Sequence, residues 1–245
     1  MQRKVTVFMV VKLTRITNDP VLAIEEAASN CYDSEATGDG KIMRNCMKSG
    51  HQSVAEFCDF TFHIEGISRA LSHQLVRHRL ASYAQRSQRY CSEDDFGYVI
   101  PKAIREHESA IIVYDKLMEK IAFTYKLLQE LGINNEDARM VLPNACETQI
   151  EVKMNLRTLM NFMNERLCTC AQWEIRALAA AMKKAVVDKV PELEPYLVPK
   201  CEKYGKEFGF CMETKKRREQ LKCNRHPRLE DIFEDYNNYK DMQNS

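Results

Sequence analysis

Apolar positions along the chain switch between a period near two and a period near 3.6. A run rich in Val, Phe and Thr predicts a strand over Lys4–Leu13. Val21, Leu22, Ile24 and Ala27 recur at helical spacing and predict a helix over Pro20–Ser29, followed by Asn30, Cys31 and Tyr32 and by a loop at Gly38 and Gly40. Phe60, Phe62 and Ile64 alternate with Thr61 and His63, so Phe57–Glu65 reads as a half-buried strand, and Ile67–Val76 returns to helical spacing. A long helix is expected over Ser109–Leu131, closed by Gly132, and a short one over Glu136–Leu142, stopped by Pro143. Thr148–Asn155 reads as a strand, Thr158 as the N-cap of a helix through Cys168, and Ala171–Val187 as a further helix. Past Pro191 the periodic pattern stops. These elements predict one mixed α+β domain over residues 1–198 and a charged, Cys-containing extension over residues 199–245, without internal repeats.

Composition narrows the class. The chain has 245 residues, of which 44% are hydrophobic and 29% charged, enough for a substantial core and incompatible with a low-complexity or collagen-like chain. Its 36 Lys and Arg against 35 Asp and Glu leave a net charge of +1, which removes any bulk electrostatic case for nucleic acid or a membrane surface. No stretch approaches the ~18–20 apolar residues of a membrane span. The basic N-terminal flank is not followed by a small-residue cleavage site, so a signal peptide is not expected. Ten Cys without a secretory signal then read as reduced thiols, and the expected compartment is the cytoplasm.

The balanced charge hides a local imbalance. Between Gly66 and Ser92 there is no acidic residue, yet Arg69, His73, Arg77, His78, Arg79, Arg86 and Arg89 all fall there. Guanidiniums match phosphate oxygens two at a time, so such a cluster suits an anion, and the interleaved Ser82, Tyr83, Ser87 and Tyr90 suit a nucleotide. The plain alternative is a solvated or interface face whose acidic partners come from elsewhere in the chain.

Arg77-His78-Arg79, followed after seven residues by Ser87, resembles the signature of the flavin-dependent thymidylate synthases, a family unrelated to the cysteine-based thymidylate synthases. The resemblance extends upstream to His51-Gln52-Ser53-Val54-Ala55-Glu56 and Phe60-Thr61-Phe62-His63. Downstream it takes in Ala138-Arg139-Met140-Val141-Leu142-Pro143, Asn155-Leu156-Arg157-Thr158-Leu159-Met160-Asn161-Phe162, Asn164-Glu165-Arg166 and Ala171-Gln172-Trp173-Glu174-Ile175. Order and approximate spacing agree over residues 20–190, and the chain is identified as a member of that family.

The resemblance implies a homotetramer of α+β subunits with intersubunit active sites. It also implies reductive methylation of dUMP to dTMP, with methylenetetrahydrofolate as carbon donor, FAD as hydride carrier and NADPH as reductant. It places Gln74, Leu75, Val76 and Arg77 on one side of the dUMP site and Gln85, Arg86, Ser87, Gln88 and Arg89 on the other, joined by Arg139 and Arg166. Arg166 matches the residue credited with activating the uracil. A guanidinium stays protonated in proteins, so its expected role is to hold negative charge as N3–H ionises, making C5 nucleophilic without a thiolate. Ser53, Arg77, His78, Arg79, Gln85, Asn155, Arg157 and Asn161 match FAD contacts. Ser87 and Arg89 point the same way if their segment is extended, which favours phosphate binding over a nucleophilic serine. No G-x-G-x-x-G is present, so a Rossmann mode of flavin binding is not indicated. Cys170 stands where relatives often carry His, and Cys31 where some carry Ser.

Two readings need no ligand. Ser53-Val54-Ala55-Glu56 has the pattern of a capping box. On one ideal helix Asn155 and Arg166 share a face while Arg157 and Asn161 lie almost opposite, a conflict that a helix start at Thr158 would relieve. In the extension, Cys201, Cys211, Cys223 and His226 form C-x9-C-x11-C-x2-H, chemically adequate for zinc but without a first C-x2-C knuckle. Scattered reduced thiols are therefore the expectation, no metal is assigned, and Cys168 and Cys170 are expected to pack. Two other functions compete: a nucleic-acid binder using residues 66–92, against which net charge and the second arginine set argue, and a silent relative, against which the retained arginines argue.

Overall fold

The structure, a computed structural model, describes residues 8–203 and 205–235. In chain order its elements are β1 (Val10–Ile16), α1 (Pro20–Tyr32), α2 (Lys41–Lys48), β2 (Asp59–Ser68), α3 (Arg69–Leu75), β3 (Ala81–Gln85), α4 (Lys102–Arg105), α5 (Glu108–Glu130), α6 (Asn135–Ala138), β4 (Glu147–Asn155), α7 (Leu156–Arg166), α8 (Trp173–Val187) and α9 (Lys215–Leu221). Short 3-10 turns lie at Gln52–Phe57, Arg139–Val141, Pro191–Tyr196 and Lys200–Glu202. The chain divides into two compact units: residues 1–15 with 61–154, and residues 16–60 with 155–245.

The first unit holds a four-stranded sheet in the order β1-β2-β4-β3. Phe62 and Ile64 on β2, and Thr148, Ile150, Val152 and Met154 on β4, are buried at every second position, as the pleat requires. β3 pairs antiparallel with β4 in a register that sets Ala81 opposite Met154 and Gln85 opposite Ile150. The long helix α5 buries Met118, Ala122 and Tyr125, and Met118 and Ala122 join Phe96, Tyr98, Ile100 and Cys146 in one core cluster. His63 lies between two carboxylates, 2.5 Å from Glu151 and 2.8 Å from Glu65.

The second unit is helical. Leu156, Leu159, Phe162 and Met163 of α7 and Ile175, Leu178 and Met182 of α8 are fully buried. Glu25 of α1 is buried too, and its carboxylate accepts from the backbone N–H groups of Gly38 (2.7 Å) and Ile42 (3.1 Å). That carboxylate orders the loop leading into α2, where Gly38 and Gly40 take positive φ values of 74° and 78° that L side chains adopt only with strain.

The expected helices and the strands at β2 and β4 form, with shifted ends. The first strand lies later than Lys4–Leu13, at Val10–Ile16, and residues 4–7 lie outside the described residues. Four elements carry no expectation: α2, β3, α4 and α9. β3 is short and lies inside the basic stretch, and its pairing with β4, not its own apolar pattern, makes it a strand.

Glu25→Ala leaves the Gly38 and Ile42 N–H groups without their carboxylate acceptor and is expected to cost about 3 kcal/mol in urea unfolding, since bonds to a charged group each contribute roughly 1.5–3 kcal/mol. Hydrogen bonds to Glu65 and then Glu151 raise His63 above its ordinary value. A raised histidine stabilises the fold below its unfolded pKa, and that contribution disappears as pH rises through the folded value. Stability should therefore fall on going from pH 6 toward alkaline pH, and His63→Gln should flatten this part of the profile.

Candidate active site

In the first unit, the functional stretch begins where α3 ends. Ser68 caps α3 by accepting from the Leu71 N–H at 3.0 Å. At the other end, Tyr83 of β3 places its hydroxyl 2.9 Å from the Leu75 carbonyl and 2.8 Å from that of His78. Burial pushes the Tyr83 phenol up to about 12, so it stays a neutral donor in this turn. The turn leaves Val76, Arg77 and Arg79 exposed, Gln74 and His78 half-buried, and Leu75 in the core. Arg77 and Arg79 have no ion pair or side-chain hydrogen bond among the described residues, so their positive charge is uncompensated there.

β3 delivers the second half of the stretch. Its last residue, Gln85, donates to Ser72 Oγ (2.9 Å) and lies 3.3 Å from Thr148 Oγ1. Arg86 turns to the buried Glu93 at 3.1 Å; burial raises the Glu93 carboxyl against the pull of Arg86. Residues 88–90 form a turn, with Ser87 Oγ accepting from the Arg89 N–H at 3.2 Å. This corrects the extended segment expected from sequence: Ser87 and Arg89 are brought together by a local turn and not by strand alternation. Gln88 donates to the buried Cys146 thiol, which burial pushes up to about 12.

Arg89 and Arg139 both contact Glu136, one through its side chain and the other through its backbone. The Glu136 carboxylate lies 2.9 Å from Arg89 Nη2, and the Glu136 carbonyl accepts from Arg139 Nε at 3.0 Å. Glu136 sits in α6, capped by Asn134, three residues before Arg139. Arg69 joins the group: burial lowers its guanidinium from the ordinary value, and the charge of Arg139 lowers it further. Sequence reasoning counted Arg69 as basic but assigned it no role, and missed Glu136, whose carboxylate pairs with Arg89 far away in the chain.

The second unit carries the remaining candidates. Ser53 is exposed within the 3-10 turn Gln52–Phe57, whose N-cap is His51 without a side-chain bond. The expected capping box therefore does not form. Glu56 instead pairs with Arg157 at 2.5 Å, because α7 presents that guanidinium to it. The N-cap of α7 is Asn155, accepting from the Thr158 N–H at 2.9 Å, so the helix starts earlier than the expected Thr158 cap. Arg157 and Asn161 are exposed four residues apart on one face, while the half-buried Arg166 closes the helix on the opposite one. An early start keeps the geometric conflict that a later one would have relieved. Gln172 caps α8 by accepting from Glu174 and Ile175 N–H groups at 3.0 and 3.1 Å. Cys31 is exposed, and Cys170 is half-buried, its thiol pushed up to about 11 by burial and then by Cys168.

The donor set suits a flavin dinucleotide in part. Arg77 and Arg79 offer uncompensated cations for a pyrophosphate, whereas Arg157 is engaged by Glu56 and the Asn155 side-chain oxygen by its helix. Comparison with known proteins agrees with this chemistry. Residues 12–192 match the family model described as "Thymidylate synthase complementing protein". The chain is 38% identical over 240 residues to the flavin-dependent thymidylate synthase of Nitratidesulfovibrio vulgaris, covering 89% of this chain and 95% of that protein. It is 44% identical over 205 residues to that of Geobacter sulfurreducens, covering 79% and 88% respectively. In fold it is similar to the UMP/dUMP methylase PolB of Streptomyces cacaoi bound with 5-Br dUMP, with a TM-score of 0.70 over 80% of this chain and 96% of that one, at 21% identity. With a family model matching residues 12–192 and likeness of this extent along nearly the full length of its relatives, the chain belongs to the flavin-dependent thymidylate synthase family.

Proposed function

We propose that this chain converts dUMP to dTMP with a set of guanidiniums, Arg89 and Arg139 holding the nucleotide and Arg166 activating its base. The observation that carries the reading is that Glu136 holds Arg89 through its carboxylate and Arg139 through its backbone carbonyl, with the half-buried Arg69 close enough to feel the charge of Arg139. A phosphate entering there exchanges the Glu136 contact for its own oxygens, and Ser87 adds a hydroxyl from the same turn. Gln74, Leu75 and Val76 close the other side of the substrate, with Arg86, Gln88 and Gln85 fixing the loop through Glu93, Cys146 and Ser72.

Arg166 acts on the pyrimidine. Its permanently charged guanidinium stabilises the anion left when uracil N3–H ionises, and the electron density delivered to C5 lets that carbon attack the methylene donor, methylenetetrahydrofolate. FAD, when bound, supplies the hydride that completes the methyl group, and NADPH restores it. Arg77, His78 and Arg79 would hold it in the first unit and Ser53, Asn155, Arg157 and Asn161 in the second, Arg157 by leaving Glu56.

Assembly as a homotetramer is part of this reading. Two observations support it: α7 turns Arg157 and Asn161 away from Arg166, and α5 exposes Ile112, Val113, Leu117, Phe123 and Leu127 along the side opposite its buried residues. Residues 1–198 form the catalytic body in this proposal and residues 199–245 an appendage to it. No helix among the described residues is long and apolar enough to cross a membrane, and ten free cysteines suit a reducing cytoplasm.

Purified protein should be yellow and should oxidise NADPH in a dUMP-dependent way; a colourless protein that shifts onto DNA in a salt-sensitive manner would overturn the reading. Arg166→Ala should abolish dTMP formation while keeping its flavin absorbance, and full turnover would remove its assigned role. Arg89→Ala should weaken dUMP binding by about tenfold or more, the worth of one charge-assisted contact; unchanged binding by calorimetry would remove Arg89 from the phosphate site.

A further inference from the structure

Within the second unit, four separate passages of chain bring soft ligands to one cavity of about 30 Å³. Cys168 and Cys170 follow α7, Cys201 lies in the turn Lys200–Glu202, Cys211 precedes α9, and Cys223 and His226 follow it. The ligand atoms of Cys168, Cys170 and Glu213 lie within 4.8 Å of one another, and so do those of Cys201, Glu202 and His226. Cys168 and Cys201 each stand in one of these trios, and Cys211 and Cys223 line the same cavity, so four sulfurs border one space. A space of this size admits a single ion.

The extension has little else to hold it. Among the described residues from 201 to 235, only Arg228 is buried. Its backbone is nonetheless organised around the cavity. Arg218 of α9 donates to the carbonyls of Cys223 (3.1 Å) and His226 (2.7 Å), and Cys211 donates its N–H to the Pro227 carbonyl at 2.7 Å. Gly209 lies so close to the His226 ring that any Cβ there would collide with it. Polar segments without a core gain definition when metal binding supplies the folding free energy.

We propose that this cavity is a structural metal site, binding one thiophilic divalent cation of the zinc class through Cys168, Cys201, Cys211 and Cys223, and that the ion staples the extension to the end of α7. One sulfur then comes from each passage. Cys170 and His226 are the remaining candidates, and each is already held by a carboxylate: Cys170 by Glu213, and His226 by Glu202 at 3.3 Å. Each ligating thiol gives its proton to solvent. Lys200, Arg218 and Arg225 line the same cavity and offset the negative charge of four thiolates on a dication. Four protein ligands leave no open position for water, which makes the centre structural and not catalytic. Cys168 comes two residues after Arg166, so the ion fixes the turn that leaves that arginine. Against the expectation of scattered thiols, Cys168, from outside the extension, lines the same cavity as Cys201, Cys211 and Cys223.

The test is metal analysis of the untagged full-length protein. The expected result is one zinc per chain, replaceable by cobalt with the appearance of thiolate-to-cobalt charge-transfer absorption. Cys201→Ser and Cys223→Ser should lose metal affinity by about tenfold or more, whereas Cys31→Ser and Cys170→Ser should keep it. Chelation should open residues 199–235 to protease. If the serine variants fail to fold, wild-type protein titrated with an organomercurial in the presence of a zinc dye decides: release of one zinc as four thiols react supports the site. Protein that takes up neither zinc nor cobalt, or that contains iron and inorganic sulfide instead, overturns it.

Discussion

Like-charge crowding governs this molecule. In the first unit Arg69 is lowered by burial and by the charge of Arg139, while Glu136 holds Arg89 by its carboxylate and Arg139 by its backbone carbonyl. Guanidiniums repel one another, and a folded chain tolerates such a group when rigid elements hold it and an anion completes it. The β3–β4 register, the Ser68 cap of α3 and the Tyr83 hydroxyl are the holding elements; each is a backbone or hydroxyl bond inside the unit, independent of any ligand. In the proposed reading a substrate phosphate would meet a prepared charge and not one assembled on arrival.

The second unit handles its arginines differently. Arg157 is neutralised by Glu56 on an exposed face, and Arg166 stands at the C-terminal end of α7, where a cation is favoured by the helix dipole. Beyond that end the chain makes a turn bearing Cys168 and Cys170 and then enters α8, fixed by its Gln172 cap. The motif Ala-Gln-Trp-Glu therefore has a structural use of its own: its glutamine starts the helix after the turn. A metal ion at Cys168 would add a second fixed point to the same short connection, linking Arg166 to an extension in which, among the described residues from 201 to 235, only Arg228 is buried.

Much of this was legible in one dimension. Period-two alternation over Phe60, Phe62 and Ile64 and helical spacing over α5, α7 and α8 mark the core because burial depends on local geometry. Motif order marks the family, whereas the acid-free stretch from Gly66 to Ser92 finds acidic partners outside itself for Arg86 and Arg89, in Glu93 and Glu136. Where sequence reasoning failed, a competing partner had intervened. Ser53-x-x-Glu56 has the pattern of a capping box, yet Arg157, far away in sequence, takes the glutamate. Thr158 looks like a cap, yet Asn155 reaches its N–H first.

The chain by itself therefore determined which residues are apolar, which are cationic and in what order they come, and these fix element type and family. Only the tertiary structure decided who meets whom: that Glu136 pairs with Arg89, that β3 exists through β4, and that Cys168 lines one cavity with cysteines from the extension. The reason is physical. Periodicity and propensity act over a few residues, whereas charge pairing and metal ligation depend on distances of a few ångströms that residues widely separated along the chain reach only after folding.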